Sequence, residues 1–228
     1  MTGLPLPPSR TEQVYDAILD EICRGKLPPG VTLRQELLAE HFQVSRQPIQ
    51  QALLLLKSHG LVRDSGKRGL EVVPLDEKFV VDLYEMRAVV DGLAARRAAS
   101  RITPSIQRRS EELLREGALG VQEGSFAHMI AADMEFHQHL LQVADNMLLS
   151  ESAAVLYRSV RRVMGEVLRQ SGTPHWVWAE HEGIHAAIVR GDADLAETLA
   201  REHAIHGTQL ILGAMFGDST HVQAAVDA

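Results

Sequence analysis

Residues 33–62 read LRQELLAEHFQVSRQPIQQALLLLKSHGLV. Leu37, Leu38 and the small Ala39 fit a short helix over about 35–42. Gln43-Val44 make a tight turn. Ser45 is a natural N-cap, and Pro48 is tolerated in the first helical turn. Ile49, Ala52, Leu53 and Leu56 line one face of a further helix, which Gly60 stops. Upstream, Val14, Ile18, Leu19 and Ile22 give one buried face to a helix over about 10–24, and Pro28-Pro29-Gly30 breaks the chain after it. Downstream, Leu61-Val62-Arg63 and Leu70-Glu71-Val72-Val73 flank the turn-rich Asp64–Gly69, a hairpin signal. Three helices and a hairpin describe a winged helix-turn-helix, which Pro74 closes.

In such a unit the second helix of the helix-turn-helix enters the major groove by its N-terminal residues. Here these are Ser45, Arg46, Gln47, Gln50 and Gln51. Arg46 can fork onto guanine or hold a phosphate, the glutamines can pair with adenine edges, and Ser45 can donate to a phosphate. Lys67 and Arg68 at the wing tip suit a close approach to the backbone or minor groove.

The rest of the chain reads as all helix, at about 76–100, 104–118, 123–143, 146–169, 174–190 and 192–212. Pro104, Gly120, Asn146, Gly172-Thr173-Pro174 and Gly191-Asp192 supply the breaks. The expected organisation is a disordered 1–9, a DNA-binding domain over 10–73, a linker over 74–78, an all-helical six-helix bundle over 79–213 and a tail over 214–228. The fold class is mainly α.

The 228 residues carry a net charge of −7, unevenly spread. Residues 1–73 hold nine Lys/Arg against eight Asp/Glu, whereas the remainder holds fourteen against twenty-two. That split suits a DNA reader joined to an acidic regulatory body. With 45% hydrophobic and 23% charged residues the chain is not disordered over most of its length. Aromatics at 4% disfavour stacking platforms for single-stranded nucleic acid. A lone cysteine, no apolar run near the roughly 20 residues that span a bilayer, and no secretory signal point to a cytoplasmic, nucleoid-associated protein.

Nine of the eleven histidines lie beyond residue 74. Asp133 and His137, four apart on one helix, share a face. His181 and His203 lie at equal distances on either side of position 192, so an antiparallel hairpin turning there sets them at one height. His185 would face Leu199 and His206 would face Trp178, which pair less well. One Asp and three His form a plausible shell for a divalent ion, with zinc, nickel and manganese all conceivable.

The run Leu38-Ala39-Glu40…Val44-Ser45-Arg46-Gln47-Pro48-Ile49…Ala52-Leu53…Gly60-Leu61-Val62 resembles the winged helix of the GntR family of bacterial transcription regulators. It departs from that family where Arg and Glu often stand at Gln50 and Gln51, and where Gly often stands at Gln43. The first departure implies a different operator. Asp133-Met134-Glu135-Phe136-His137-Gln138-His139-Leu140 resembles the D-x-x-F-H-x-x-L motif of the FCD effector domain. Asn146, Glu180-His181 and Glu202-His203 match later positions of it, and the short connection looks like the VanR-type subgroup.

The resemblance implies that Asp133, His137, His181 and His203 hold a metal, zinc first. It implies too that a carboxylate-bearing metabolite is the effector. Arg87, which follows Tyr84-Glu85-Met86 where the family commonly has Glu-x-Arg, is the expected carboxylate partner, with Arg158, Arg161 and Arg162 as further candidates. Trp176 and Trp178 are expected to serve packing. A homodimer on a pseudo-palindromic operator follows from paired heads reading two half-sites. A metal-dependent enzyme with an appended helix-turn-helix, and a purely structural metal, are the competing readings.

Overall fold

The computed structural model describes residues 9–66, 69–171 and 176–217. The chain divides into two compact units, residues 1–75 and 76–228.

In the first unit, helix α1 spans Arg10–Cys23. Ser9 and Glu12 cap it reciprocally: the Ser9 hydroxyl accepts from the Glu12 N–H, and the Glu12 carboxylate accepts from the Ser9 N–H. Ser9 is thus part of the helix start and not of a disordered tail. Strand β1 is Thr32–Leu33, helix α2 is Gln35–His41 and helix α3 is Arg46–Ser58. Strands β2 (Val62–Asp64) and β3 (Leu70–Val72) complete a small antiparallel sheet of order β1-β3-β2. β1 is an addition to the expected hairpin. Two residues are too few to show an alternating pattern; the strand is fixed by pairing, Leu33 opposite Leu70. Ile18, Leu38, Ile49, Leu53, Leu56 and Val72 are buried together as the core.

The turn between α2 and α3 is left-handed. Gln43 has φ 53°, and the Val44 N–H returns to the Ala39 carbonyl at 3.0 Å. A side chain with a Cβ is disfavoured there.

The second unit consists, among its described residues, of six helices: α4 (Glu77–Ala99), α5 (Pro104–Glu123), α6 (Phe126–Val143), α7 (Met147–Ser171), α8 (Trp176–Val189) and α9 (Ala193–Phe216). Asp76 caps α4, so helix begins inside the expected linker, and α9 runs into the expected tail. Gly120 does not break α5. It lies inside the helix against the Met129 backbone, where a Cβ would stand 3.0 Å away, and Gly124 (φ +63°) ends the helix in its place. The expected break at Gly172–Pro174 lies outside the described residues. α4 runs through the middle, against α6, α7, α8 and α9. Ala94, Ala95 and Ala98 on α4 and Ala196 and Ala200 on α9 are buried small residues, which lets these backbones approach closely. No described helix is long and apolar enough to cross a membrane.

Replacing Gln43 by Gly should relieve the left-handed turn and stabilise the first unit by about 0.5–1 kcal/mol. A raised denaturant midpoint for that unit's transition is the expected result; an unchanged or lowered one would show that the turn is not strained.

Candidate metal centre and DNA-reading face

The reading head presents its polar residues on one side of α3. Ile49, Ala52, Leu53 and Leu56 point inward, while Ser45, Arg46, Gln47, Gln50 and Gln51 are exposed. Ser45 occupies the N-cap position, but its side chain makes no capping hydrogen bond, contrary to the expected cap. Arg46 stands 3.3 Å from Glu36, an exposed pair that is readily exchanged for another anion. Gln51 accepts a hydrogen bond from Thr11 at 2.7 Å, which ties it back toward α1. Gln47 and Gln50 thus remain the glutamines best placed for base edges. Lys67 and Arg68 lie outside the described residues.

In the helical unit, the one-turn spacing on α6 puts Asp133 and His137 on the same face. Gly191 (φ +73°) reverses the chain between α8 and α9, and Asp192 caps α9 by accepting from the Leu195 N–H. That short turn sets His181 beside His203. The four side chains, all buried, converge so that one ligand atom from each lies within 4.8 Å of every other. His137 Nε2 is 3.2 Å from His181 Nε2, which is 3.1 Å from His203 Nε2. Asp133 Oδ1 is 3.4 Å from His181 Nε2 and 3.9 Å from His137 Nε2. Ligands at 2.0–2.1 Å around a tetrahedral ion stand roughly 3.3 Å apart, so the spacing suits a first-row divalent cation. His185 and His206 stay outside: the one lies 4.0 Å from Glu111, the other bonds Glu180.

The outer atoms of this cluster explain why the inner ones face one another. His203 Nδ1 meets Glu180 Oε2 at 2.8 Å, and His137 Nδ1 lies 3.2 Å from Asp91 Oδ2. The Glu180 carboxylate can thereby hold the His203 Nδ1 proton and turn its Nε2 lone pair inward, while Asp91 faces His137 Nδ1 without a hydrogen bond. Burial pushes the pKa of His181 well below the usual imidazole range, helped by His203, His137 and Arg87; burial likewise lowers that of His203. Both are therefore neutral, as metal ligands must be. Asp133 Oδ2 is buried without a hydrogen bond. Its nearest cation is Arg87 at 3.5 Å, and a buried carboxylate oxygen without a hydrogen bond is costly, a cost that a bound cation would lessen.

Arg87 is placed differently from a simple carboxylate receptor. It is buried, and its Nε donates to Asp91 at 3.1 Å while one terminal nitrogen lies 2.8 Å from His137 Nε2 and 3.5 Å from Asp133 Oδ2. The guanidinium thus uses the His137 lone pair that a metal would need. Asp91 also accepts from the Tyr157 hydroxyl in a short hydrogen bond. Burial alone would raise the Asp91 pKa, but His137, Arg87 and Tyr157 outweigh it and hold it well below the carboxylate range. Burial pushes Tyr84, beside Arg87, up to about 12. Asp91 and Tyr157 were not singled out in the sequence, although Arg87 and Asp91 are spaced four apart on a helix, which permits a pair.

Next to the cluster opens a cavity of about 40 Å³, whose polar end is formed by Tyr84, Arg87, Asp133 and His203. Trp176 lines it. Trp178, by contrast, is buried edge-on against the His181 ring, 4.8 Å between centroids, and its ring fills the space a Cβ at Gly117 would need. Trp178 packs in the core as expected, and Trp176 stands edge-on to the His206 ring at 6.0 Å.

Family models match residues 10–72 as gntR-family bacterial regulatory proteins and residues 82–206 as an FCD domain. The chain belongs to the GntR family, with an FCD domain. It is 31% identical over 220 residues to the probable D-xylose utilization operon transcriptional repressor of Paenarthrobacter nicotinovorans, covering 95% of this chain and 93% of that one. It is 28% identical over 192 residues to the transcriptional repressor RspR of Escherichia coli K12, 84% of each. The fold is similar to that of E. coli McbR/YncC, with a TM-score of 0.79 at 20% identity, covering 90% of this chain and 98% of that one. This GntR-family chain is a DNA-binding transcription regulator; its relatives are regulators and not enzymes, which removes the enzymatic reading.

Zinc at about 100 times its dissociation constant should stabilise the helical unit by about 2.7 kcal/mol. His181→Ala should abolish both that stabilisation and metal uptake. Full metal content in that variant would overturn the four-donor assignment.

Proposed function

We propose that this regulator is a cytoplasmic homodimer that binds a pseudo-palindromic double-stranded operator and responds to a small organic acid bound beside a divalent metal, zinc first and nickel or manganese next. The convergence of four buried donors beside a cavity, in a chain that carries a winged-helix head, is the observation behind this reading. Asp133, His137, His181 and His203 would hold the ion, which supplies a Lewis-acidic, positive seat for a carboxylate oxygen.

Arg87 is the second partner for that carboxylate. If His137 Nε2 serves an ion, one guanidinium nitrogen of Arg87 loses its acceptor at the polar end of the cavity, ready for an anion. The effector acts through its differential affinity for two arrangements of the dimer. Two relatives are named repressors, which favours repression by this chain as well. On DNA, Ser45, Arg46, Gln47, Gln50 and Gln51 would face the major groove, with Lys67 and Arg68 at the wing.

Operator fragments selected from genomic DNA by the full chain should share one short palindrome. On such a fragment Arg46→Ala should weaken specific binding by about 1–3 kcal/mol. Unchanged affinity by titration at fixed salt would refute the docking of α3.

A further inference from the structure

The cavity beside the cluster is two-faced. Its four polar side chains, Tyr84, Arg87, Asp133 and His203, gather at the metal-cluster end, and three of them are linked, Tyr84 to Arg87 and Arg87 toward Asp133. The other described wall residues, chiefly Met164, Val167, Val177, Leu210 and Ile211, are aliphatic or thioether. Arg87 is the one cation among the described residues of the wall.

From this asymmetry we infer that the effector is a monocarboxylate with an unsubstituted apolar tail, bound head-first toward the metal cluster. The inference rests on the organic-acid reading above and narrows it. The tail end sets the chemistry. Hydroxyls of a sugar acid laid against Val167, Leu210 and Ile211 would lose water and gain no partner. A second carboxylate there would be a buried charge with no cation beside it among the described wall residues, since Arg87 stands at the opposite end. Trp176 at the wall adds apolar area and one N–H.

The head end sets the dependence on metal. Around the cluster, the one buried guanidinium, Arg87, already faces two buried carboxylates, Asp91 at 3.1 Å and Asp133 at 3.5 Å. That leaves no spare positive charge for a third carboxylate. A divalent cation held by the four donors would supply it. Carboxylate binding therefore requires the ion, while the wall selects the tail.

Three acids of the same carbon skeleton separate these terms: hexanoate, its hydroxylated counterpart gluconate, and its dicarboxylate counterpart adipate. Each is titrated by calorimetry into the full chain, loaded with zinc to a measured one-to-one content and again after chelation. Hexanoate should bind the zinc-loaded chain on the order of 100-fold more tightly than gluconate or adipate, and should not bind after chelation. The near-isosteric Val167→Thr, which adds a hydroxyl to the apolar wall, should weaken hexanoate about tenfold. Gluconate or adipate binding as tightly as hexanoate would overturn the tail assignment and leave the organic-acid reading standing. Binding of none of the three to the zinc-loaded chain would overturn both. An unchanged hexanoate affinity in Val167→Thr would show that the tail does not lie along this wall.

Discussion

Three imidazoles and a carboxylate, buried together with their donor atoms turned inward, are hard to maintain without a cation. His181 Nε2 stands 3.2 Å from His137 Nε2 and 3.1 Å from His203 Nε2, and one oxygen of Asp133 is buried without a hydrogen-bond donor. Burial lowers the pKa of His181 and of His203, so these two do not take up a proton readily. The crowding of three ring nitrogens and a carboxylate oxygen together out of water is the constraint on which the rest depends. It makes Asp91 and Glu180 necessary as outer carboxylates, and it makes the cluster a natural seat for a divalent ion.

The fold meets this constraint with ordinary local devices. A one-turn repeat on α6 aligns Asp133 with His137. The Gly191-Asp192 turn sets α8 and α9 antiparallel at matching heights, and small residues let α4 and α9 pack closely. Trp178 presses on the His181 ring, and Gly117 leaves room for it. Arg87 then links cluster and cavity, because the lone pair that it uses on His137 is the one an ion would take. The site thereby has a competition built into it, between guanidinium and metal for one nitrogen.

Much of this was legible in the sequence because it depends on short-range spacing. The helix-turn-helix follows from the apolar face of α3 and the glycine after it, and the four donors from an i, i+4 pair and two residues equidistant from a turn. What was not legible depends on tertiary pairing. β1 exists only because Leu33 finds Leu70 across the sheet. Gly120 looked like a break, yet it is held inside α5 because α6 packs closely against it, which a single sequence cannot announce. The Thr11 bond that ties Gln51 back toward α1 joins residues forty apart in the chain. Asp91 could have been suspected from its spacing to Arg87, but its second role, facing His137, arises only when α4 and α6 meet.

The central claim is that these four side chains form a metal centre. X-ray absorption at the metal edge of the full chain, loaded with one equivalent of zinc, tests it most directly. The account predicts imidazole scattering from three histidines at about 2.0–2.1 Å together with a carboxylate oxygen at about 2.0–2.2 Å, and loss of one imidazole contribution in His203→Ala. A shell of oxygens alone, or a spectrum that His203→Ala leaves unchanged, would contradict it.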